Sequence, residues 1–581
     1  MPSALIEIEH LTYHFQDDEA ALRPALEDVN LTIREGEWVA LLGANGSGKT
    51  TLVRQLNALL LPTSGQVRIN GMDTRDRRNR PQIRATIGMV FQNPEDQIVA
   101  GIVEEDTAFG PENLAVAPAE IRRRVDEALE QVGLSQHSLR PPHLLSAGQK
   151  QRLAIAGVLA MRPRCIIFDE ATTMLDPVGR RSVLEIMRRL HAAGMTILFI
   201  THFMEEAANA ERLVVLNKGR LVADDSPAVI FSQPVHLAEW DLEQPPAAAV
   251  AESLRQSISN FPSAIYSASD LQAALLSLPH GDLTLSPTSQ AGATAAASII
   301  QVADLAHVYM LDTPLAHQAL TSVSLEIPEG SGYALLGATG SGKSTLLQHL
   351  NGLLRPQKGS VRVGPYLLND HKIKTRDVVA LAGLVFQNPE NQFFEQYVGD
   401  EIAYGPRQFT SDEPLAQRVR RAMDLVGLDF EAFKDRLTFT LSGGERRKVA
   451  LASILALSPR ILLLDEPLAG LDPAARRTTL NRLGNLRLQT GATLVLSSHQ
   501  MEDVVALARD AVVLHQGRSV MQDCLACIFN RPAELAATGL EPPLAARLAA
   551  DLRSHGWPIP ADVLTPAQLV TVVLTAWRAA R

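Results

Sequence analysis

Lys49 and Lys343 each close a glycine-rich segment of one pattern, GANGSGKT from Gly43 to Thr50 and GATGSGKS from Gly337 to Ser344. These residue types at this spacing suit the cradling of a polyphosphate. Glycines let the turn wrap so that backbone N–H groups aim at phosphate oxygens, the lysine adds positive charge, and the last hydroxyl can reach Mg²⁺. The candidate nucleotide-binding residues are therefore Gly43, Asn45, Gly46, Ser47, Gly48, Lys49, Thr50 and Thr51 in the first loop. In the second they are Gly337, Thr339, Gly340, Ser341, Gly342, Lys343, Ser344 and Thr345. Two acid pairs follow apolar runs, Asp169-Glu170 after Ile166-Ile167-Phe168 and Asp465-Glu466 after Leu462-Leu463-Leu464. Asp169 and Asp465 suit a Mg²⁺ shell with Thr50 and Ser344, and Glu170 and Glu466 can polarise a water for attack on a γ-phosphate. Apolar segments at Thr196–Thr201 and Thr493–Ser498 deliver His202 and His499, 32 and 33 residues after the glutamates. The matched spacing makes both histidines candidates for a γ-phosphate contact.

The elements that must position these groups are legible too. An apolar strand pattern precedes each loop, Trp38 to Leu42 and Tyr333 to Leu336. A helical pattern follows, with Leu52, Leu56 and Leu59 on one face of the first, and Leu346, Leu350 and Leu353 on one face of the second. A bound phosphate would lie at a helix N-terminus, where free amides and the dipole favour an anion. The expected class is α/β. The chain is also duplicated, because Lys343 lies 294 residues after Lys49, Gln387 295 after Gln92, Ser442 296 after Ser146 and His499 297 after His202. Leu242-Glu243-Gln244-Pro245-Pro246 is echoed by Leu540-Glu541-Pro542-Pro543, so the repeat extends past the acid motifs. The expected organisation is a first domain at 1–225, a helical appendage at 226–280, a linker at 281–298, a second domain at 299–522 and a second appendage at 523–581. The Ser/Thr/Ala/Gly-rich linker would span roughly 20–25 Å as a random coil, short enough to let the two halves pair within one chain.

A chain of 581 residues exceeds one core, and 46% apolar with 20% charged residues is ordinary for a globular protein. A net charge of −10 gives no electrostatic footprint for nucleic acid, and none is expected as a partner. The basic runs at Arg75–Arg78 and Arg122–Arg124 read as solvated faces. No apolar run reaches the roughly 18 residues of a membrane helix, and Met1 to His10 lacks the shape of a signal peptide. Three cysteines cannot build a disulfide framework. Cys524 and Cys527 form a CxxC with no second pair, opposite Ser226 and Val229 in the first half, and read as ordinary core or helix positions.

Leu145-Ser146-Ala147-Gly148-Gln149 and Leu441-Ser442-Gly443-Gly444-Glu445 complete a resemblance to the ATP-binding cassette ATPases. The resemblance implies two tandem P-loop cassettes in a head-to-tail intramolecular dimer. Each ATP would lie between one phosphate loop and the other cassette's signature (Ser146 and Gly148, or Ser442, Gly443 and Gly444). It further implies that Gln92 and Gln387 sense Mg²⁺ and γ-phosphate, that Asp176 and Asp472 line the cassette interface, and that Phe15 and Tyr309 stack on adenine, with Tyr13 a rival to Phe15. A narrower resemblance, to energy-coupling factor transporters, rests on Phe91-Gln92-Asn93-Pro94-Glu95-Asp96-Gln97 and Phe386-Gln387-Asn388-Pro389-Glu390-Asn391-Gln392. Phe109-Gly110-Pro111-Glu112-Asn113, Tyr404-Gly405-Pro406-Arg407 and the appendages fit it as well. That family implies a peripheral protein on the cytoplasmic face of the cell membrane, driving a transmembrane coupling subunit that engages a substrate-binding membrane subunit for a vitamin or transition-metal ion. Glu95, Asp96 and Glu390 would then face the coupling subunit's basic helices. The alternatives are another twin-cassette importer and a soluble twin-cassette protein. Intact motifs in both halves weigh against the first. The 120 and 122 residues between lysine and acid, with no room for a large insertion, weigh against the second.

Overall fold

The computed structural model describes residues 4–15, 24–281, 297–313, 316–388, 392–410, 412–469, 471 and 473–580. Most of the expected linker, Glu390 and Asp472 lie outside the described residues. The chain divides into two compact units, Met1–Ala274 and Leu275–Leu471 with Ala475–Arg581.

In the first unit the strands are β1 Ala4–Tyr13, β2 Leu26–Arg34, β3 Trp38–Leu42, β4 Ser64–Ile69, β5 Met72–Asp73, β6 Ile87–Val90, β7 Cys165–Asp169, β8 Thr196–Ile200, β9 Arg212–Asn217 and β10 Arg220–Asp225. They form an antiparallel sheet of order β2-β1-β4-β5 and a mainly parallel sheet of order β10-β9-β3-β8-β7-β6. β3, β7 and β8 are buried at every position. Such near-continuous apolar runs are what a parallel sheet covered on both faces requires. Alternate residues serve opposite layers. Val39, Leu41, Ile167 and Leu198 pack toward the antiparallel sheet and the helix Lys49–Leu56. Trp38, Ala40, Phe168 and Phe199 pack toward the helices Pro118–Gln131, Ala147–Ala160 and Pro177–Ala192. The phosphate loop leaves the C-terminal end of β3, between β8 and β9, at the edge where parallel α/β sheets hold ligands.

The second unit repeats this plan with β11 Ser298–Tyr309, β12 His317–Pro328, β13 Gly332–Leu336, β14 Lys358–Val363, β15 Tyr366–Leu367, β16 Ala382–Val385, β17 Ile461–Asp465, β18 Thr493–Ser497, β19 Asp510–His515 and β20 Arg518–Cys524. The sheet orders, β12-β11-β14-β15 and β16-β17-β18-β13-β19-β20, match those of the first unit. Short helices follow each last strand. Phe231, Leu237 and Leu242 in the first unit, and Phe529, Leu535 and Leu540 in the second, are buried in the cassette's own core. The start of each appendage is therefore continuous with its cassette.

Candidate functional site

Each phosphate loop turns on glycines that no other residue could replace. Gly43 has φ +150°, and a Cβ there would run into the Leu216 carbonyl and Ser47 Oγ. Gly48, at φ +101°, opens the helix Lys49–Leu56, and its Cβ would meet the Ala25 carbonyl at 2.7 Å. Gly337 and Gly342 repeat both situations. Lys49 Nζ donates to the carbonyls of Gly43 and Ala44 at 2.8 and 3.0 Å, and Lys343 Nζ to those of Gly337 and Ala338 at 2.7 and 3.0 Å. Both ammonium groups are folded across the mouth of their loop. Ser47 Oγ and Ser341 Oγ are buried there with no protein partner.

The acid pairs end β7 and β17. Asp169 is 5% exposed and accepts from Thr50 Oγ1 at 3.2 Å. Burial, reinforced by the charge of Glu170, pushes its carboxyl up to about 6. Asp465 accepts instead from Ser497 Oγ at 2.6 Å, and Ser344 is exposed. Glu170 Oε1 lies 2.7 Å from His202 Nε2, and its Oε2 accepts from Gln92 Nε2 at 3.1 Å. Glu466 is held the same way, 3.2 Å from His499 Nδ1 and accepting from Gln387 Nε2 at 3.0 Å. Burial opposes ionisation of both glutamates, but the histidine bond and charge, together with the loop lysine, outweigh it and hold both carboxyls below the usual range. Each glutamate is thus a carboxylate at neutral pH, as a base must be.

One hydrogen-bonded and electrostatic cluster in the first unit therefore gathers Lys49, Thr50, Gln92, Asp169, Glu170 and His202. Its counterpart in the second gathers Lys343, Gln387, Asp465, Glu466 and His499. Ser146, Gly148, Asp176 and Phe15 stand outside the first cluster. Ser146 and Ser442 cap the helices Ala147–Ala160 and Gly443–Leu455, each in a reciprocal capping box with Gln149 or Glu445. Asp176 caps the helix Pro177–Ala192, accepting from the Gly179 N–H at 2.7 Å. Strand register shows which residue of the first unit is equivalent to Tyr309. Tyr13 pairs with Leu26 as His307 pairs with Leu320, so Phe15 is the counterpart of Tyr309. Phe15 is half-exposed and edge-on to Tyr13, whereas the Tyr309 hydroxyl is 3.3 Å from Thr345 Oγ1. Among the coupling candidates, Glu95 pairs with Lys150 on the signature helix, and Asp96 accepts from Asn93 Nδ2 at 3.1 Å.

Sequence reasoning missed a buried acid behind each histidine. Glu206 accepts from Thr172 Oγ1 at 2.8 Å and from Thr201 Oγ1 at 2.7 Å, with Arg180 3.6 Å away. Asp503 accepts from Arg476 at 2.7 Å. The available signal was an acid four residues after the histidine in both halves.

The ABC transporter family model matches residues 26–173 and again 320–469. An ABC transporter ATP-binding protein of Methanosarcina mazei is 34% identical over 582 residues, covering 97% of this chain and 96% of the relative. The chain belongs to the ABC transporter family and carries two of its ATPase domains in one polypeptide; it binds and hydrolyses ATP. The energy-coupling factor transporter ATP-binding protein EcfA1 of Symbiobacterium thermophilum is 51% identical over 283 residues, which is 48% of this chain and 99% of that protein. Among solved structures, cbiO1 from Clostridium perfringens, part of the ABC transporter complex cbiONQ, matches with TM-score 0.37 and 34% identity over 41% of this chain and 94% of that one.

Proposed function

We propose that this protein is the energy-coupling ATPase of an energy-coupling factor importer, with both cassettes fused in one chain. The observation that carries the reading is the EcfA1 relative, matched over nearly its whole length by half of this chain. In this reading Glu170 and Glu466 are general bases, Lys49 and Lys343 neutralise phosphate charge, and His202 and His499 fix the glutamates and contact the γ-phosphate. Ser146 with Gly148, and Ser442 with Gly443 and Gly444, complete the site of the opposite cassette. Asp176 and Asp472 stand at the interface, and Phe15 and Tyr309 stack on adenine.

The acid sites suit Mg²⁺. A carboxyl raised by burial and an acid neighbour, as at Asp169, is where a divalent cation offsets uncompensated negative charge. Thr50, Gln92 and Asp169 would hold the ion in the first cassette, and Ser344, Gln387 and Asp465 in the second. When bound, it neutralises charge on the β- and γ-phosphates.

Coupling follows from what Gln92 touches. It is bonded to Glu170 and leads into the short helix Pro94–Asp96. Beside that helix an open groove is lined by Leu59, Arg80, Arg84, Val99, Phe109 and Met161. A transmembrane coupling subunit seated there, steered by Glu95, Asp96 and Glu390, would move Gln92 and Gln387 and so admit or withdraw the bases. The imported substrate, a vitamin or transition-metal ion, would meet only the membrane subunits, with this protein peripheral on the cytoplasmic face. No helix among the described residues is long and apolar enough to cross a membrane. Co-expression with the membrane subunits of candidate importers, mild-detergent co-purification and reconstituted uptake test the proposal. ATP-dependent uptake supports it. Active ATPase that joins no such subunits overturns it.

A further inference from the structure

We propose that Asp523, Cys524 and Cys527 form a three-donor site for a thiophilic cation of the zinc class. The two thiol sulfurs and one carboxylate oxygen lie within 4.8 Å of one another, and all three residues are partly exposed. Zinc–sulfur bonds of about 2.3 Å and zinc–oxygen bonds of about 2.1 Å in a tetrahedron set donors about 3.6–3.8 Å apart. Closing the site therefore needs a contraction of no more than about 1.2 Å between any two donors. Three protein donors leave the fourth position to solvent, as in an open zinc site.

The local fold presents these donors together. Asp523 and Cys524 end β20, and Cys524 caps the following turn, its Sγ accepting from the Cys527 N–H at 3.2 Å. Asp523 Oδ1 accepts from the Cys524 N–H at 2.8 Å, and Arg531 holds its other oxygen at 3.2 Å. The first unit makes the same turn without the thiols. Asp225 Oδ1 accepts from the Ser226 N–H at 2.7 Å, and Val229 stands where Cys527 does. The turn therefore does not need sulfur, and the thiols are an addition confined to the second cassette. The remaining cysteine, Cys165, is buried in β7 and offers no comparable site.

A soft cation binds the deprotonated sulfurs, and two thiol protons leave to solvent.

The test uses the full-length protein, reduced and stripped of metal, titrated with Co²⁺. Thiolate-to-cobalt absorption in the near ultraviolet should appear and saturate, and Zn²⁺ should bleach it. Oxygen-ligated Co²⁺ at the nucleotide sites gives no such band. C524S/C527V installs the first cassette's own residues, so it should fold and retain basal ATPase while losing the band and any zinc-induced rise in Tm. D523N should weaken cobalt binding. Absence of the band in the wild-type protein, or its survival in C524S/C527V, overturns the proposal.

Discussion

Changing Asp169 to Asn should stabilise the nucleotide-free protein while ending turnover at the first cassette. The carboxyl is 5% exposed, and burial followed by the charge of Glu170 raises it from 3.8 to about 6. A rise of about two pKa units corresponds to about 3 kcal/mol at 1.36 kcal/mol per unit. The Asn carbonyl can still accept from Thr50 Oγ1, but its buried NH₂ gains no certain acceptor, which takes back about 1 kcal/mol. The net gain is then about 2 kcal/mol, or about 4–8 °C in the unfolding of the first unit. The sign follows from proton linkage. Between pH 3.8 and about 6 the folded state keeps a proton that the unfolded chain has released, so wild-type stability falls as pH rises through that window and is level above it. The variant lacks this loss. The variant should therefore be the less stable by about 1 kcal/mol below about pH 4, overtake the wild type within the window and lead by about 2 kcal/mol at neutral pH. Asp465→Asn is the internal contrast, because Ser497 donates to that carboxylate at 2.6 Å and the substitution exchanges a charge-assisted bond for a neutral one. No gain is expected there. Thermal or urea unfolding in chelator, across pH 4 to 8, provides the measurement. A destabilised Asp169→Asn at neutral pH, or a difference independent of pH, would refute the reasoning.

Glu170→Gln combined with Glu466→Gln should retain ATP binding and slow hydrolysis by about 10²–10⁴-fold; wild-type turnover in the double variant would remove the base assignment. Glu206→Ala strands the buried hydroxyls of Thr172 and Thr201, at about 1–3 kcal/mol for each left unsatisfied. Unfolding should register about 2 kcal/mol or more, with Glu206→Gln recovering part, and an unchanged Tm would show that the network is dispensable. On the proposed head-to-tail pairing, Ala147 serves the Lys343 site and should make it the slower one. Residual ATPase should then be larger in Glu466→Gln than in Glu170→Gln. A Cβ at Gly443 meets nothing within 4 Å in its own unit, so Gly443→Ala should fold normally and slow only the Lys49 site. Equal residual rates, or the reverse order, would dismiss the methyl group as the cause.

What was legible in the sequence is what the chain holds over short range. The phosphate loops and the acid pairs at strand ends each depend on a few neighbouring residues, and the repeat displays each of them twice. The correspondence of Phe15 with Tyr309 lies in the repeat spacing, 294 residues as for the loop lysines, and the strand register of Tyr13 and His307 agrees with it. The ion pair of Glu95 with Lys150, 55 residues away on the signature helix, is a long-range contact that no local pattern announces. Glu206 stayed hidden for a related reason. Its threonine partners lie 34 and 5 residues away, and an acid on a short helix looks solvated until the fold brings them together. The CxxC by itself offers two thiols, and the carboxylate that lies beside them belongs to the adjacent residue, Asp523.

The acid pairs also pose a geometric problem that the motif conceals. Successive residues on a strand point to opposite faces, yet in the proposed function Asp169 and Glu170 both serve one nucleotide. The backbone solves this at the glutamates, which take φ of 52° at Glu170 and 47° at Glu466. A non-glycine residue there costs about 1–3 kcal/mol and persists only where its surroundings over-determine it. Both surroundings do. The Glu170 N–H donates to the Ile200 carbonyl and the Glu466 N–H to the Ser497 carbonyl, each at 3.2 Å, while Gln and His fix the carboxylate. The two cassettes have diverged at Tyr13 against His307 and at Ser226 against Cys524, yet both keep this strained turn. Other equivalent pairs, Asp28 with Ser322 and Lys218 with Gln516 among them, also hold positive φ in both copies; what sets the glutamates apart is that this turn carries a carboxylate onto the Gln and His beside it.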